Sequence, residues 1–376
     1  MPVSPSEYER LAESVLLAYE EAERTMLRRV ANRLAKGVTS PGWTEQKYSE
    51  VRAVREEIQS ALNSLKNKRT SLLSDVLQQS YDAGADAFTT EAEKFTDLLN
   101  ITHISPNSRK VASILMELDD MFNASDRVIL RTARDAYSNI VGSVSAHVAA
   151  GTITTREAVQ REVDMFADRG ITSFVDKAGR AWEMATYAEM ATITAIENAS
   201  LSGYVDTMQS YGFDLAVISS HVGACPLCAA WEGVIVSVSG NDRDYPSLDD
   251  ARAGGAFHPR CLHYLSTYYP GITKGVRSSP RKIQEPNASY TARQQQRYME
   301  RQIRKWKRRM SASITPEGER EAYARVRMWQ SRVRELVDEA PSSIGEWLPR
   351  KYWREGGRTK LSAAAQKLKP KSIPTR

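Results

Sequence analysis

The chain has 376 residues, 41% of them hydrophobic and 26% charged, with a formal net charge of +6 at pH 7. That is long enough for two or three domains and apolar enough to build cores. The opening MPVSPSEYERLAES lacks a basic n-region and an apolar core, and no run of about 18 apolar residues occurs. A signal peptide and a membrane span are therefore not expected, and folding in the cytosol is.

Ser4-Pro5-Ser6-Glu7 has the form of a capping box with proline at the first helical position, so a helix should start there. Tyr8, Leu11, Val15, Tyr19, Ala22, Met26 and Val30 recur at steps of three and four and carry it over 5–36, where Gly37 stops it. A second helix should follow Thr44 as N-cap and carry Tyr48, Val51, Val54, Ile58, Leu62 and Leu65. A third runs from about Thr70 through Leu73, Val76 and Leu77 towards Phe95. Such long, lightly apolar, heavily charged helices fit a bundle or an arm that packs on another protein.

Further helices are expected over 111–122, 125–150 and 155–166, the last capped by Thr155. Gly170 and Gly179 punctuate a small loop or hairpin presenting Asp176, Lys177 and Arg180, and 182–198 reads as a helix. Arg180, Tyr187 and Glu189 are polar enough for catalysis, but without a paired nucleophile or base they read as a cap and salt-bridge arrangement. No phosphate-binding glycine loop, Gly-x-Ser-x-Gly or His-Glu-x-x-His occurs.

Residues 221–263 hold every cysteine, Cys225, Cys228 and Cys261, and three of the five histidines, His221, His258 and His263. A Cys-x-x-Cys turn presents two sulfurs to one point, and His258 with Cys261 can do the same from a second turn. Four such donors match a closed tetrahedral Zn2+ site of structural type. His263 can replace His258, with His221 the weaker reserve. A redox pair and plain buried thiols are the other readings. The redox motif wants a helix directly after its second cysteine, whereas Val234, Val236 and Val238 alternate like a strand, which places the pair in a hairpin-like turn. Strands are expected at 215–219 and 233–239, with 241–255 a polar excursion between the halves of the site.

From Arg277 to Arg309 the segment is strongly basic. Met299, Ile303, Trp306 and Met310 fall at helical spacing, so one face can dock while Arg297, Arg301, Arg304 and Arg308 line the other for non-specific contact with DNA phosphates, unless they form a solvated face. A last helix is expected over 316–339. An irregular segment with Trp347, Tyr352 and Trp353 and a disordered tail from 360 follow. The fold class is thus mainly α: long N-terminal helices, a central α+β module with a small β-hairpin zinc unit, and basic C-terminal helices. The expected division is 1–123, 124–205, 206–275, 276–340 and 341–376.

Three stretches in this order, GITSFVDKAGRAWEMATYAEM, then HVGACPLCAAWEGVI with GGAFHPRCLHYLSTYYPG, then YTARQQQRYMERQIRKWKRR, resemble the signatures of the tailed-phage minor capsid protein 2 family, relatives of Mu F-type head morphogenesis proteins. The resemblance covers about 165–310 and departs at Ile193, where the family usually carries arginine. It implies a low-copy virion or head-assembly protein, made in the host cytoplasm and associated with the portal, the major capsid protein or the capsid interior, possessing no catalytic residue. The family's Cys-x-x-Cys falls on Cys225 and Cys228, its His-Pro-x-Cys on His258, Pro259 and Cys261, with His263 completing the pattern. The alternative is a zinc-stapled HNH-like nuclease with His258 or His263 as general base and Asp242, Asp244, Asp249 or Asp250 beside it. A host zinc protein that binds DNA ranks last, for want of a groove-reading element.

Overall fold

A computed structural model of the chain describes residues 5–94, 108–151, 153–177, 179–261, 263–283, 287–340 and 362–366. In chain order the elements are α1 (Pro5–Ala35), α2 (Trp43–Ser49), α3 (Val51–Ala92), α4 (Ser108–Ala149), α5 (Thr155–Arg169), β1 (Thr172–Val175), β2 (Ala181–Glu183) and α6 (Met184–Ser210). They continue with β3 (Leu215–Ile218), α7 (Pro226–Trp231), β4 (Ile235–Ser237), α8 (Leu248–Ala253), β5 (Leu265–Thr267), α9 (Ala288–Ala312), α10 (Pro316–Asp338) and α11 (Ala363–Gln366). The fold is mainly α, as the periodicity indicates. Among the described residues no helix is long and apolar enough to cross a membrane.

The helical body differs from expectation in one instructive way. Two expected helices are the single 42-residue α3, and two more are the 42-residue α4. The apolar stripe of α3 is interrupted at Arg69, which nevertheless points inward and is 0% exposed. Its guanidinium donates to Tyr19 on α1 at 3.0 Å and to Asn123 and Asp126 on α4 at 3.2 and 3.1 Å. The polar residues that look like a break in α4 are the receptor for the cation that looks like a break in α3. Both helices stay continuous because these groups satisfy one another inside the body.

Caps shift by a residue or two. Gly42, not Thr44, precedes α2, whose buried Trp43 donates to Leu34 O at 2.9 Å. Thr154, not Thr155, caps α5 in a capping box with Glu157. Ser4, the cap expected for α1, lies outside the described residues. The continuous α4 also runs through the division expected at 123/124, and one apolar core joins α1, α3, α4, α5 and α6.

α3 and α6 make the closest crossing. A Cβ on Gly84 would lie 1.9 Å from Ser200 O, and one on Gly203 would lie 2.0 Å from Tyr81 O, so only glycine lets these backbones touch. α6 therefore runs on past 198, through the small residues that make this contact, and its end delivers the chain to β3. There Phe88, Tyr204 and Met208 form a second core with Ala216, Ile218, Trp231, Val236 and Leu265.

The second core covers a three-stranded antiparallel sheet of order β4-β3-β5, in which Ala216 pairs with Val236 on one side and Thr267 on the other. The expected pair of strands is thus a sheet, and β5 was not anticipated. β1 and β2 form a separate hairpin at 172–183. At the C-terminal end α9 and α10 pair through Ile303, Val326, Val333 and Val337. Within the tail expected to be disordered, α11 docks on α10, where Ser362 N–H donates to Glu319 at 2.6 Å and Ala365 is buried. Trp347, Tyr352, Trp353 and the rest of that tail lie outside the described residues.

Candidate metal centre

β3 delivers the chain to a loop that ends at Cys225. This residue caps α7, its sulfur accepting from Cys228 N–H at 3.4 Å, with Pro226 favourably placed in the first turn. The hairpin-like turn expected for the pair is therefore a helix N-terminus. The misreading arose because α7 is only six residues long and β4 follows almost at once. The absence of a helix thus no longer argues against a redox pair; the third cysteine does, as its sulfur lies 3.5 Å from Cys228 Sγ.

The second half of the site follows α8, which is held by a capping box between Ser247 and Asp250. Phe257 and Arg260 adopt φ of 53° and 63°, a left-handed conformation that costs a non-glycine residue about 1 kcal/mol. Between them the turn closes when Cys261 N–H donates to His258 O at 2.9 Å. This strained turn aims His258 and Cys261 at the same point.

All five sequence-predicted donors meet. His258 Nε2 lies 2.9 Å from Cys225 Sγ, and its Nδ1 lies 2.9 Å from Pro259 O, a pairing that puts a proton on Nδ1 and makes Nε2 the nitrogen that faces the sulfur. His263 Nδ1 lies 3.4 Å from Cys261 Sγ, while its Nε2 faces Glu232 Oε1 at 3.2 Å. Two triads result, Cys225–Cys228–His258 and Cys228–Cys261–His263, each with donor atoms within 4.8 Å of one another and with Cys228 in common. His221 joins neither. Its ring stacks at a tilt on His263, 4.3 Å between centroids.

The donor chemistry fits a metal. Hydrogen bonding from Cys228, and then His258, draws Cys225 down to about 3, and Cys228 with His263 draws Cys261 down to about 4 against the effect of burial. Cys228, the sulfur that lies between the two, is raised in return. The Cys225 sulfur holds the His258 imidazolium up to about 9. Burial works against the His263 cation, but Cys261 and Glu232 outweigh it and lift it to about 9 as well. Two sulfurs are thus drawn towards the thiolate, the form that binds metal. Tetrahedral Zn2+ sets sulfurs about 3.8 Å apart and sulfur and nitrogen about 3.5 Å apart; the Cys228–Cys261 and Cys261–His263 pairs, at 3.5 and 3.4 Å, are close to this, and the Cys225–His258 pair, at 2.9 Å, is tighter.

One positioning residue, Glu232, escaped sequence reasoning, and a second, Glu189, has partners that the sequence did not name. Glu232 takes the His221 backbone N–H at 2.8 Å while facing His263, the outer-shell arrangement that orients a metal-binding imidazole. Its only signal is a lone acid in the apolar run AAWEGVIV. Glu189, expected in a cap and salt-bridge arrangement, is buried in α6 and forms salt bridges, accepting from Arg260 at 3.1 Å and from Arg304 at 3.2 Å.

The arginines expected to face DNA do not form one exposed face. Arg304 and Arg308 are 6% and 2% exposed. Arg308 donates to Glu183 at 2.7 Å and to Ala167 O at 2.8 Å, and Arg297 is half-buried, leaving Arg301 exposed. Carboxylates of α1 and α6, distant in sequence, draw these cations inward, and non-specific DNA contact through the four of them is not supported by this arrangement. The acids considered for a nuclease are used locally: Asp250 in the cap of α8, Asp249 with Arg252, Asp242 accepting from Asp244 N–H. Among the described residues, none of them joins either donor triad.

Comparison with known proteins agrees with a structural role. A protein of Lactococcus phage LL-H named "Structural protein" is 31% identical over 236 residues, 58% of this chain and 61% of that protein's length. Another "Structural protein", from Lactococcus phage mv4, is 33% identical over 117 residues, 30% of this chain and 90% of its relative. The chain thus spans less than two thirds of the LL-H protein. No solved structure matches it. Residues 3–338 match the family described as phage minor capsid protein 2, and the chain belongs to that family.

Proposed function

We propose that this chain is a low-copy structural component of the phage head, positioned near the portal or the capsid interior, whose Cys/His module is held by a structural Zn2+. The observation that carries the metal reading is the gathering of Cys225, Cys228, His258, Cys261 and His263 from two loops into two donor triads that share Cys228. Bound there, Zn2+ would supply a cross-link between the α7 turn and the His258–Cys261 turn and no reaction chemistry. The chain's own residues do the rest. Pro259 O and Glu232 orient the two imidazoles, α7 presents both sulfurs of its pair, and the sheet beneath fixes the distance between the loops.

Membership of a minor capsid family and relatives named as structural proteins support a place in the virion. The portal or major capsid protein is the natural partner for a body whose long helices offer extended faces. Quantitative mass spectrometry of density-purified virions, empty heads and soluble lysate tests the placement. The chain should occur in full heads at low copy relative to the coat protein. Recovery in soluble lysate alone would remove it from the virion.

A further inference from the structure

α9 reaches the candidate metal centre from outside the module. Asn287 caps α9, accepting from Tyr290 N–H at 2.8 Å, and its side-chain amide donates to Val222 O at 2.7 Å, in the loop that leads to Cys225. Further along, Arg293 and Arg297 line the same cavity of about 50 Å³ as the Cys and His donors, together with Arg260. Among the described residues no carboxylate lines that cavity, and the acid that pairs with Arg293, Glu9 of α1 at 3.8 Å, lies outside it. Buried guanidiniums require a negative group to face them, and three thiolates around one divalent cation leave a net negative charge at that place.

A second connection runs through the body. Arg260, in the strained His258–Cys261 turn, bonds one oxygen of Glu189, and Arg304 of α9 bonds the other. The position of the metal-binding turn is thereby tied to α9 at two levels. Beyond Arg304 the helix has its own anchor, Arg308 on Glu183 and Ala167 O.

We infer that the metal–thiolate centre is a latch for α9: with metal bound, its negative charge holds Arg293 and Arg297 and keeps the N-terminal half of α9 on the body, and metal loss frees that half while the Arg308 end stays docked. This rests on the metal reading of the site and adds what the metal controls. Because coupling is reciprocal, weakening the α9 contact must also weaken metal retention by the same factor.

The test is hydrogen exchange of the full chain loaded with Zn2+, before and after chelation, with metal content measured on the same samples. Amides of 288–300 should lose protection together with the loops of 221–263, while α3 and α4 keep theirs. Full protection of 288–300 with the metal measurably gone would overturn the latch. Arg297→Met should speed loss of Zn2+ to a competing chelator about ten-fold, the scale of an outer-shell partner, with Arg297→Lys closer to wild type. Equal rates for wild type and Arg297→Met would also overturn it. A wild-type chain that takes up no Zn2+ before chelation fails differently, by removing the metal reading on which the latch stands.

Discussion

The helical body and the Cys/His module solve the same problem with different materials. The body buries large side chains such as Tyr19, Phe122, Tyr137 and Leu77 between helices of many turns, and α3 and α6 meet backbone to backbone at Gly84 and Gly203. The module has strands of three or four residues, a small core around Trp231, and two loops brought together by sulfur and imidazole. A region rich in apolar contact is damaged by changes of volume or by an unpaired buried charge. A region poor in it is damaged by loss of a donor or its metal. Substitutions can therefore be chosen to strike one region and spare the other.

The largest effect expected within the body is from Arg69→Met, which leaves Asp119 and Asp126 without their buried cation. Breaking such a pair costs about 4 kcal/mol, read from denaturant unfolding, with zinc content unchanged. Gly203→Ala should follow at about 3 kcal/mol, since its Cβ would meet Tyr81 O and the two helices must separate. Zinc lost from either variant at full occupancy of the folded state would break the comparison. On the other side, Glu232→Gln should lower zinc affinity about ten-fold and leave the unfolding of the body where it was. The smallest effect belongs to the β1–β2 hairpin. Asp176 is held down to about 2 by the Arg180 backbone N–H and side chain, against an ordinary value of 3.8. A carboxylate depressed in the folded state stabilises above its unfolded value, and that contribution is lost as pH falls from 3.8 through about 2. Trp182, whose indole N–H donates to Asp176 at 3.2 Å, should report the opening by fluorescence in that window, and a flat signal would separate the hairpin from Asp176.

Where one face is apolar and the other polar, the sequence was legible. α1 and α10 follow their expected spans closely. Continuity was lost at 66–70 and 123–126 because Arg69, Asn123 and Asp126 occupy inward positions, and a charge at a core position looks like the end of a stripe. α9 inverts the usual rule, since Arg304 faces Glu189 on α6 and Arg308 faces Glu183 at the end of β2, and Glu189 lies 115 positions from Arg304. Local spacing carries no trace of such partners. The Cys and His donors were readable because scarce residues were pooled, whereas α7 and β5 are too short to have a period. Glu232 acts through other residues and nothing in its immediate neighbourhood marks it, whereas Glu189 was legible as a salt-bridge acid but its partners Arg260 and Arg304, 71 and 115 positions away, were not.

The most direct test is elemental analysis of the 376-residue chain, purified without chelator, beside Cys228→Ser, the change that removes the sulfur common to both triads. About one Zn2+ per chain is expected in the wild type and its loss in the variant, with loosening confined to 221–263 and the first half of α9. Wild-type protein free of transition metal, or a variant that keeps its metal and its melting temperature, would contradict the metal reading.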